Sequence, residues 1–305
     1  ETTPEGSEIR LWGIDEKGND VLVVDRGFKP RFYAIPKEGV RSKTLAESLS
    51  PLNVAHGDVL STSVVEKKLF NRKVSAVEII CRSSEALEEI ARKLTKNEMV
   101  SHVLGNDVRY ASQYLLEKEA TPSRWNQLEV KEYFIPRARA EKTHLAVAPP
   151  RLSSLEHVPH FRVLAFSLIA FTEKGSPHAT KDPVSIISVA TSDGQVQSFI
   201  RSDASDRKLI SQFTDLFVKF DPHVVAGYES NRTDWPYLVE RAKQAGAALG
   251  VGRLGSEPHT SVYGHVSITG SANIDIFDYA TELPEVKVKT LENVAAFLGI
   301  KVDPP

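Results

Sequence analysis

One apolar stretch, Phe161–Phe171, constrains the fold of this chain more than any other. It reads Phe-Arg-Val-Leu-Ala-Phe-Ser-Leu-Ile-Ala-Phe, contains one charged residue and precedes the polar turn residues 172–175. An unbroken run of branched and aromatic residues is typical of a strand that is buried on both faces. We therefore predict that this stretch is the central strand of a sheet in the second half of the chain.

The segments that follow predict further strands and the helices that cover them. Two strands, Val184–Thr191 and Gln195–Arg201, flank an Asp-Gly pair that favours a tight hairpin turn. Apolar residues recur on one face of a predicted helix over Asp206–Phe220. A short strand over His223–Tyr228 then precedes a second helix that starts at Asp234.

The first half of the chain predicts a smaller, β-rich domain. Its strands have hairpin spacing, and an amphipathic helix lies between the last two of them. The predicted elements are strands Ile9–Ile14, Val21–Val24, Phe32–Ile35, Thr62–Glu66, Val74–Cys81 and His102–Leu104, and helix Glu85–Leu94. The later elements predict a ferredoxin-like strand–helix–strand unit, so the fold class is mixed α/β (α+β).

Proline content and periodicity divide the chain into domains. Residues 1–7 are small and polar, which predicts a disordered lead-in. Residues 141–159 contain three prolines and little periodicity, which predicts a linker. The two domains are therefore expected over residues 8–140 and 160–305, and 305 residues are enough for two hydrophobic cores.

Composition excludes several classes of protein. The formal net charge of −2 provides no overall basic field for nucleic acid, so binding would depend on local patches. No apolar run approaches the roughly 20 residues that span a bilayer, and the acidic start is not a secretory signal. The single cysteine, Cys81, predicts a buried thiol in a reducing compartment, so we expect a cytoplasmic protein without membrane contact. His157 and His160 have zinc-like spacing but no companion ligands, so no metal site is predicted.

The most specific motif is Gly227–Leu238, which reads Gly-Tyr-Glu-Ser-Asn-Arg-Thr-Asp-Trp-Pro-Tyr-Leu. It resembles Gly-Tyr-Asn-Ser-Asn-Asn-Phe-Asp-Trp-Pro-Tyr-Leu, the second exonuclease motif of archaeal-type family B DNA polymerases. The first half contains further segments that are similar to the amino-terminal domain of this family, at residues 28–34, 67–74 and 107–115. The resemblance spans most of residues 8–300.

The resemblance implies an amino-terminal domain over residues 8–140 and a ribonuclease H-like 3′–5′ exonuclease-fold domain over residues 160–305, without its carboxy-terminal part. The third family motif, Tyr-x-x-x-Asp, and the polymerase palm, fingers and thumb are expected beyond residue 305. The chain would then be a fragment of a DNA-directed DNA polymerase of replication or repair. Its expected partners are single-stranded or primer-template DNA, the other polymerase domains and replication proteins. The parent would need magnesium, and this fragment no cofactor.

The first exonuclease motif departs from the family at the residues that carry its chemistry. The family has Phe-Asp-Ile-Glu at the end of a buried strand, and this chain has Phe-Ser-Leu-Ile at residues 166–169. The reaction uses two metal ions held by carboxylates, and the period of two in a strand points both acids at them. Ser167 and Ile169 bring no negative charge, so Asp234 alone is retained. We therefore predict neither polymerase nor exonuclease activity for this chain.

Three alternatives remain open for these residues. Asp234 opens a helix, and an Asp in that position is commonly an N-cap worth roughly 1 kcal/mol. An active nuclease would need relocated ligands such as Glu229 with Asp234, because Glu173 lies roughly 13 Å beyond Ile169 at about 3.3 Å per residue. The third alternative is a non-catalytic module that binds nucleic acid or assembles replication proteins.

In this family the amino-terminal domain inspects the template strand for uracil. The resemblance therefore implies a pocket formed by Pro30, Val77, Val108 and Tyr110. The chain departs from the family at three positions around this pocket. Arg31 replaces an aromatic residue, Arg109 replaces a proline and Gln113 replaces an arginine. A long flexible cation is expected to fill or reshape the pocket, which argues against uracil sensing.

Cations interleaved with aromatic residues suggest a surface for single-stranded DNA, because cations follow phosphates and rings stack on bases. The alternative is a solvated surface above core aromatic residues, and the resemblance favours DNA. The candidate DNA-binding residues are Pro30, Arg31, Tyr33, Lys67, Lys68, Arg72, Val77, Val108, Arg109, Tyr110, Tyr228, Asn231, Arg232 and Tyr237.

Overall fold

The computed structural model describes residues 1–50, 58–118 and 120–301. The chain folds into two compact units, each with its own hydrophobic core. The first unit comprises Glu1–Gly13, Val21–Phe134 and Lys142–Val158, and the second comprises Ile14–Asp20, Ile135–Glu141 and Pro159–Pro305. The second unit therefore includes two short segments of the first half, which the predicted boundary at residues 141–159 did not anticipate.

Strands dominate the part of the chain before residue 158. In chain order, its elements are β1 (Thr2–Thr3), β2 (Gly6–Ser7), β3 (Ile9–Ile14), β4 (Asp20–Asp25), β5 (Arg31–Pro36), α1 (Ser42–Ser48), β6 (Val59–Leu69), β7 (Arg72–Cys81), α2 (Ser84–Leu94), β8 (Val100–Leu104), α3 (Tyr110–Glu117), β9 (Asn126–Gln127), β10 (Val130–Glu132), β11 (Lys142–Ala146) and β12 (Arg151–Leu152).

The core of the first unit lies between an antiparallel sheet and two helices. The strand order is β6-β7-β5-β8, and residues alternate between its faces. Phe32 and Val77 belong to the face that packs against α1 and α2, where Cys81 is also fully buried. The Ser83 hydroxyl accepts a hydrogen bond from the Ala86 N–H at 3.2 Å and starts α2. The predicted strand–helix–strand order is observed.

Two predictions about flexible segments were wrong. Residues 1–7, expected to be a disordered lead-in, form the β1–β2 hairpin, because the Ser7 N–H donates to the Arg82 carbonyl and ties the segment to the unit. Residues 141–159, expected to be a linker, contain β11, which pairs in parallel with β4, and β12, which pairs with β9. Their backbone hydrogen bonds come from distant strands, which local proline content does not report.

The second unit is built around a mixed sheet. Its elements are β13 (Val163–Ala170), β14 (Val184–Thr191), β15 (Val196–Ile200), α4 (Arg207–Phe220), β16 (Val224–Gly227), α5 (Asp234–Ala245), β17 (His259–Thr260), β18 (Val266–Ser267), β19 (Ala272–Asp275), α6 (Ile276–Thr281) and α7 (Leu291–Phe297). The strand order is β15-β14-β13-β16-β19, with β13 in the centre as predicted.

Aromatic side chains fill the core between this sheet and helices α4 and α5. Phe166 of β13 contacts Phe213 of α4 and Trp235 of α5, with ring centroids 5.2 and 4.7 Å apart. The predicted burial of β13 on both faces was wrong, because Ser167 and Ile169 face away from this core and are exposed. In the described part of the chain, no helix combines the length and apolar character needed to cross a membrane.

Candidate functional site

The carboxyl end of β13 places Ser167 and Ile169 at an open position of the sheet. β13 pairs with β14 along Leu164–Ala170 but with β16 only along Val163–Ala165. Beyond Ala165, the β16 side of the strand is therefore free for another group. Ser167 and Ile169 lie on the face opposite the core, and Ile169 is 56% exposed.

Asp234 occupies that open side of β13. Its carboxyl lies close enough to the backbone N–H of Leu168, between Ser167 and Ile169, for that N–H to lower its pKa. Of the alternatives left open for Asp234, the N-cap is not observed, because Thr233 is the N-cap and Asp234 is the first helical residue of α5. The structure thus brings together Ser167, Ile169 and Asp234, the three positions that the resemblance assigns to the exonuclease motifs.

Burial determines the charge of Asp234. The side chain is 8% exposed, and this burial raises its pKa to about 6, because a desolvated carboxylate is disfavoured. The negative charges of Asp275 and Glu229 raise the pKa further, whereas the hydrogen bonds from Thr233 and Leu168 lower it.

Asp275 organises the loop before Asp234, and the sequence reasoning missed this role. Its Oδ1 accepts hydrogen bonds from the N–H groups of Glu229 and Phe277 at 2.8 and 3.1 Å, and its Oδ2 accepts one from Asn231 at 2.9 Å. The same carboxylate therefore caps α6 and holds the loop after β16 in place. The signal available in the sequence was an Asp at a strand end directly before a helical segment.

The loop after β16 has an unusual backbone. Glu229 has a φ of +57°, a left-handed conformation in which Asn is common and Glu is not. Gly227 packs so closely that an added Cβ would lie 2.4 Å from the Cβ and Oγ of Ser230. Glu229 occupies the position at which the resembling family has Asn, and its negative charge raises the pKa of Asp234.

The donors at this site do not fit the two metal ions that the fold family implies. Magnesium takes oxygen ligands, usually one or two carboxylates with several waters, and two ions held side by side need carboxylates for both. Ser167 offers a neutral hydroxyl and Ile169 offers no donor, while both Asp275 oxygens already accept backbone hydrogen bonds. Across residues 1–50, 58–118 and 120–301, no group of three or more His, Cys, Asp or Glu side chains is arranged to hold a metal ion.

A sequence model described as "DNA polymerase family B, exonuclease domain" matches residues 101–294. The chain belongs to the family B DNA polymerases. The match includes β13 with Ser167, the start of α5 with Asp234, and β19 with Asp275. The family expected from the motif at Gly227–Leu238 is thus confirmed.

Named relatives of this family B chain come from archaea. It is 34% identical to DNA polymerase 2 of Aeropyrum pernix and 27% identical to DNA polymerase 3 of Saccharolobus solfataricus, in each case over 96% of this chain and 37% of the relative. A solved family B DNA polymerase from the hyperthermophilic archaeon Pyrobaculum calidifontis is 35% identical, with a TM-score of 0.88. That match covers 99% of this chain and 38% of the solved chain. The chain therefore spans less than two fifths of the length of these relatives.

Most DNA-binding candidates of the second unit have side chains that form hydrogen bonds within that unit. The hydroxyls of Tyr228 and Tyr237 donate to the carbonyls of Lys289 and Asp182, each at 2.7 Å. The Asn231 amide oxygen accepts from the Val266 N–H and the Asn273 side chain. Arg232 is exposed, with its guanidinium 5.8 Å from the Phe277 ring centre. Arg232 is the candidate whose charge faces solvent.

The candidates of the first unit divide between the two faces of its sheet. Pro30 is buried and Val77 is 0% exposed, so neither offers surface for a direct contact with DNA. Tyr33, Lys67 and Arg72 lie on the opposite face, where the Lys67 Nζ is 4.3 Å from the centre of the Tyr33 ring. These three side chains therefore share one surface, and Lys68 lies on the other face of β6.

Arg31 and Gln113 occupy the region of the expected uracil pocket. The Arg31 guanidinium lies 5.0 Å from the Phe28 ring centre and forms ion pairs with Glu78 and Glu117 at 3.6 and 3.4 Å. The Gln113 side chain accepts from the Arg31 N–H and donates to the carbonyls of Arg31, Gly105 and Val108. Val108 and Arg109 are exposed, whereas the Tyr110 hydroxyl donates to the Phe28 carbonyl at 2.6 Å. The four expected pocket residues thus differ in exposure.

Proposed function

We propose that this chain is the amino-terminal part of a DNA-directed DNA polymerase of replication or repair in which the 3′–5′ exonuclease site is inactive and the domain serves as a DNA-binding scaffold. One observation carries the proposal. Ser167 and Ile169 stand beside Asp234 at the position where the nuclease reaction requires clustered carboxylates.

The charge of the site supports this proposal. A two-metal nuclease needs anionic oxygens to hold its cations, and the cations in turn keep those carboxylates ionised. Where the resembling family has two acids in its first motif, this chain has the neutral Ser167 hydroxyl and the hydrocarbon side chain of Ile169. Fewer anionic oxygens are therefore available to hold such cations.

The polymerase part of such a protein would require magnesium, whereas the chain described here is proposed to need no cofactor. Its proposed partners are single-stranded or primer-template DNA and the other domains of the polymerase. These assignments are drawn from the family. The chain itself spans 37% of the length of its relative from Aeropyrum pernix.

A non-catalytic assembly module is the second candidate function, and one surface favours it. Ile169, Ile186 and Ile200 form a continuous row across β13, β14 and β15 on the sheet face away from the core. Ile169 and Ile200 are 56% and 69% exposed. An apolar row on a sheet is suited to a protein contact rather than to a phosphate backbone.

The test is degradation of a labelled single strand with magnesium or manganese, by this chain and by the full-length polymerase. The wild type is compared with Ser167→Asp combined with Ile169→Glu. A matched control, Ser198→Asp combined with Ile200→Glu, places the same two acids on β15 in the same cross-strand rows.

The proposal expects an inert wild type, cutting by the β13 double variant and no cutting by the β15 control. Cutting by the wild type that is lost in Asp234→Ala would overturn it, because metals would then be held by other residues. DNA binding that falls with rising salt separates the scaffold role from a purely protein-facing module.

A further inference from the structure

The β6–β7 hairpin extends beyond the rest of its sheet. β5 pairs with β7 only at Val77–Ile80, so among the described residues the five pairs from Val65–Ala76 to Leu69–Arg72 form a two-stranded ribbon. At about 3.4 Å per residue, this ribbon is roughly 15 Å long. Residues 66–73, at its end, are called the hairpin tip below.

The turn of the hairpin tip has an unfavourable residue in its first position. Phe70 and Asn71 have φ values of +45° and +64°, which define a type I′ turn between the paired residues Leu69 and Arg72. Such turns favour Asn and Gly, and a left-handed conformation is rare for a bulky side chain. The Phe70 ring is 92% exposed, so burial does not compensate for this strain. A strained, exposed aromatic residue indicates a function outside folding.

Positive charge is concentrated on both sides of Phe70. The hairpin tip contains four cations and one acid, in a chain whose formal net charge is −2. Lys68 and Lys73 are direct cross-strand partners, an arrangement in which like charges destabilise a hairpin. A phosphate between or beside these two cations would relieve that repulsion.

Two of these cations are free to bind an anion. The Lys73 Nζ lies 3.5 Å from a Glu66 carboxylate oxygen, and Lys67 lies over the Tyr33 ring. Within the part of the chain that the structure describes, no carboxylate lies within ion-pair distance of Lys68 or Arg72, and both are exposed.

We propose that the hairpin tip binds single-stranded DNA, with the Phe70 ring stacked on an unpaired base and with Lys68 and Arg72, on opposite faces of the tip, bound to phosphates on either side of that base. This inference rests on the proposed DNA-binding role of the chain and assigns it to a specific surface. A single strand fits better than a duplex, because the base faces of a duplex are already stacked on each other and a ring at the end of a hairpin reaches only an unpaired base.

The test measures binding of the 305-residue chain to a fluorescent 20-nucleotide single strand and to the matching duplex. Phe70→Ala and Phe70→Asn are expected to weaken single-strand binding about tenfold, and Phe70→Trp to preserve it. Asn suits the left-handed turn, so the Phe70→Asn chain should unfold at the same or a higher temperature. Weaker binding by a chain that is at least as stable excludes misfolding as the cause.

The charged residues have a separate signature. Replacing Lys68 and Arg72 by Ala should reduce the slope of log affinity against log salt by about 1.4, because each phosphate contact to a single strand contributes about 0.7. Phe134→Ala is the matched control for the ring, since Phe134 is 80% exposed in the same unit and lies outside the hairpin tip. This control should bind as the wild type does.

Unchanged single-strand affinity in the Phe70 variants would overturn the inference, as would a wild type that does not bind single strands. Binding to vesicles of phosphatidylserine and phosphatidylcholine that depends on Phe70, without Phe70-dependent DNA binding, would also overturn it and assign the tip to a membrane surface. None of these results bears on the nuclease site, which the β13 double variant tests independently.

Discussion

Asp234 lies beside the backbone of Leu168, close enough for that N–H to lower the pKa of its carboxyl. This places the start of α5 next to the strand that holds Ser167 and Ile169. A peptide N–H is present whatever the neighbouring side chains are, so the frame of the site does not depend on carboxylates in β13. Two substitutions in the strand should therefore be enough to reintroduce the missing acids without rebuilding the fold.

The first prediction concerns Asp234→Asn. Burial raises the folded-state pKa of Asp234 to about 6, from a usual value of 3.8. The folded state then holds the proton more tightly than the unfolded state, so the stability from this group is fully present below about pH 4 and is lost as the pH rises through 6. Asn has nearly the same shape as Asp and does not titrate in this range.

The free energy of unfolding of the Asp234→Asn variant, relative to that of the wild type, should therefore be roughly 2 kcal/mol higher at pH 8 than at pH 4. Urea denaturation at several pH values measures this difference. The control is Asp215→Asn, which makes the same chemical change at an exposed residue of α4. A pH-independent difference for Asp234→Asn would contradict the raised pKa.

The second prediction concerns the left-handed backbone at Glu229. Glu229→Asn should raise the free energy of unfolding by about 0.5–1 kcal/mol, because Asn tolerates a positive φ better than Glu does. The control is Glu229→Gln, which removes the charge beside Asp234 but keeps an unbranched side chain with the same strain. Equal stabilisation by Asn and Gln would show that charge, not backbone conformation, is responsible.

The third prediction concerns a buried ion pair in the second unit. Asp206 is fully buried, and its carboxylate accepts hydrogen bonds from the Arg241 Nε and Nη2 at 2.8 and 3.0 Å and from the Val184 N–H. Asp206→Ala leaves the Arg241 charge buried without its partner and should cost about 3–5 kcal/mol of stability. Thermal and urea unfolding measure this loss.

Two comparisons sharpen that third experiment. Asp203→Ala removes an exposed acid three residues earlier and should change the stability by no more than about 0.5 kcal/mol. Combining Asp206→Leu with Arg241→Met removes both charges and should recover much of the loss. A double variant no more stable than Asp206→Ala would mean that the pair itself, rather than the unpaired charge, matters most.

The fourth prediction concerns uracil. Because Arg31 stacks on Phe28 and Gln113 bonds to the backbone around it, we expect single strands that contain uracil or thymine to bind with affinities within about twofold of each other. Competition binding with otherwise identical oligonucleotides measures the ratio. A preference for uracil above tenfold would show that the pocket forms despite Arg31.

Local patterns in the sequence predicted much of the fold. The apolar run of β13 and the Asp-Gly turn between β14 and β15 are set by side chains close in sequence, and both were found. Periodicity likewise predicted α4 to within a residue. Residues 1–7 and 141–159 were misjudged because their strands obtain hydrogen bonds from partners far along the chain.

The site shows the same division between local and distant causes. The resemblance identified Ser167, Ile169 and Asp234, and the structure brings them together. The contact from Leu168 to Asp234 and the three hydrogen bonds to Asp275 depend on neighbouring strands and loops, so an N-cap was the simplest expectation for Asp234 from its position alone. Sequence spacing placed Ser167 and Ile169 on one face of β13, but it did not determine the contacts that Asp234 and Asp275 make with other segments.

Cys81 has a practical consequence for studying this chain. Its thiol is fully buried, and this burial raises its pKa to about 12, so the reactive thiolate is scarce at neutral pH. It is also the single cysteine of the sequence. A cysteine introduced at Asn71 would then react selectively with a maleimide dye while Cys81 stays in place. Such a probe would report on DNA binding at the hairpin tip without a cysteine-free background.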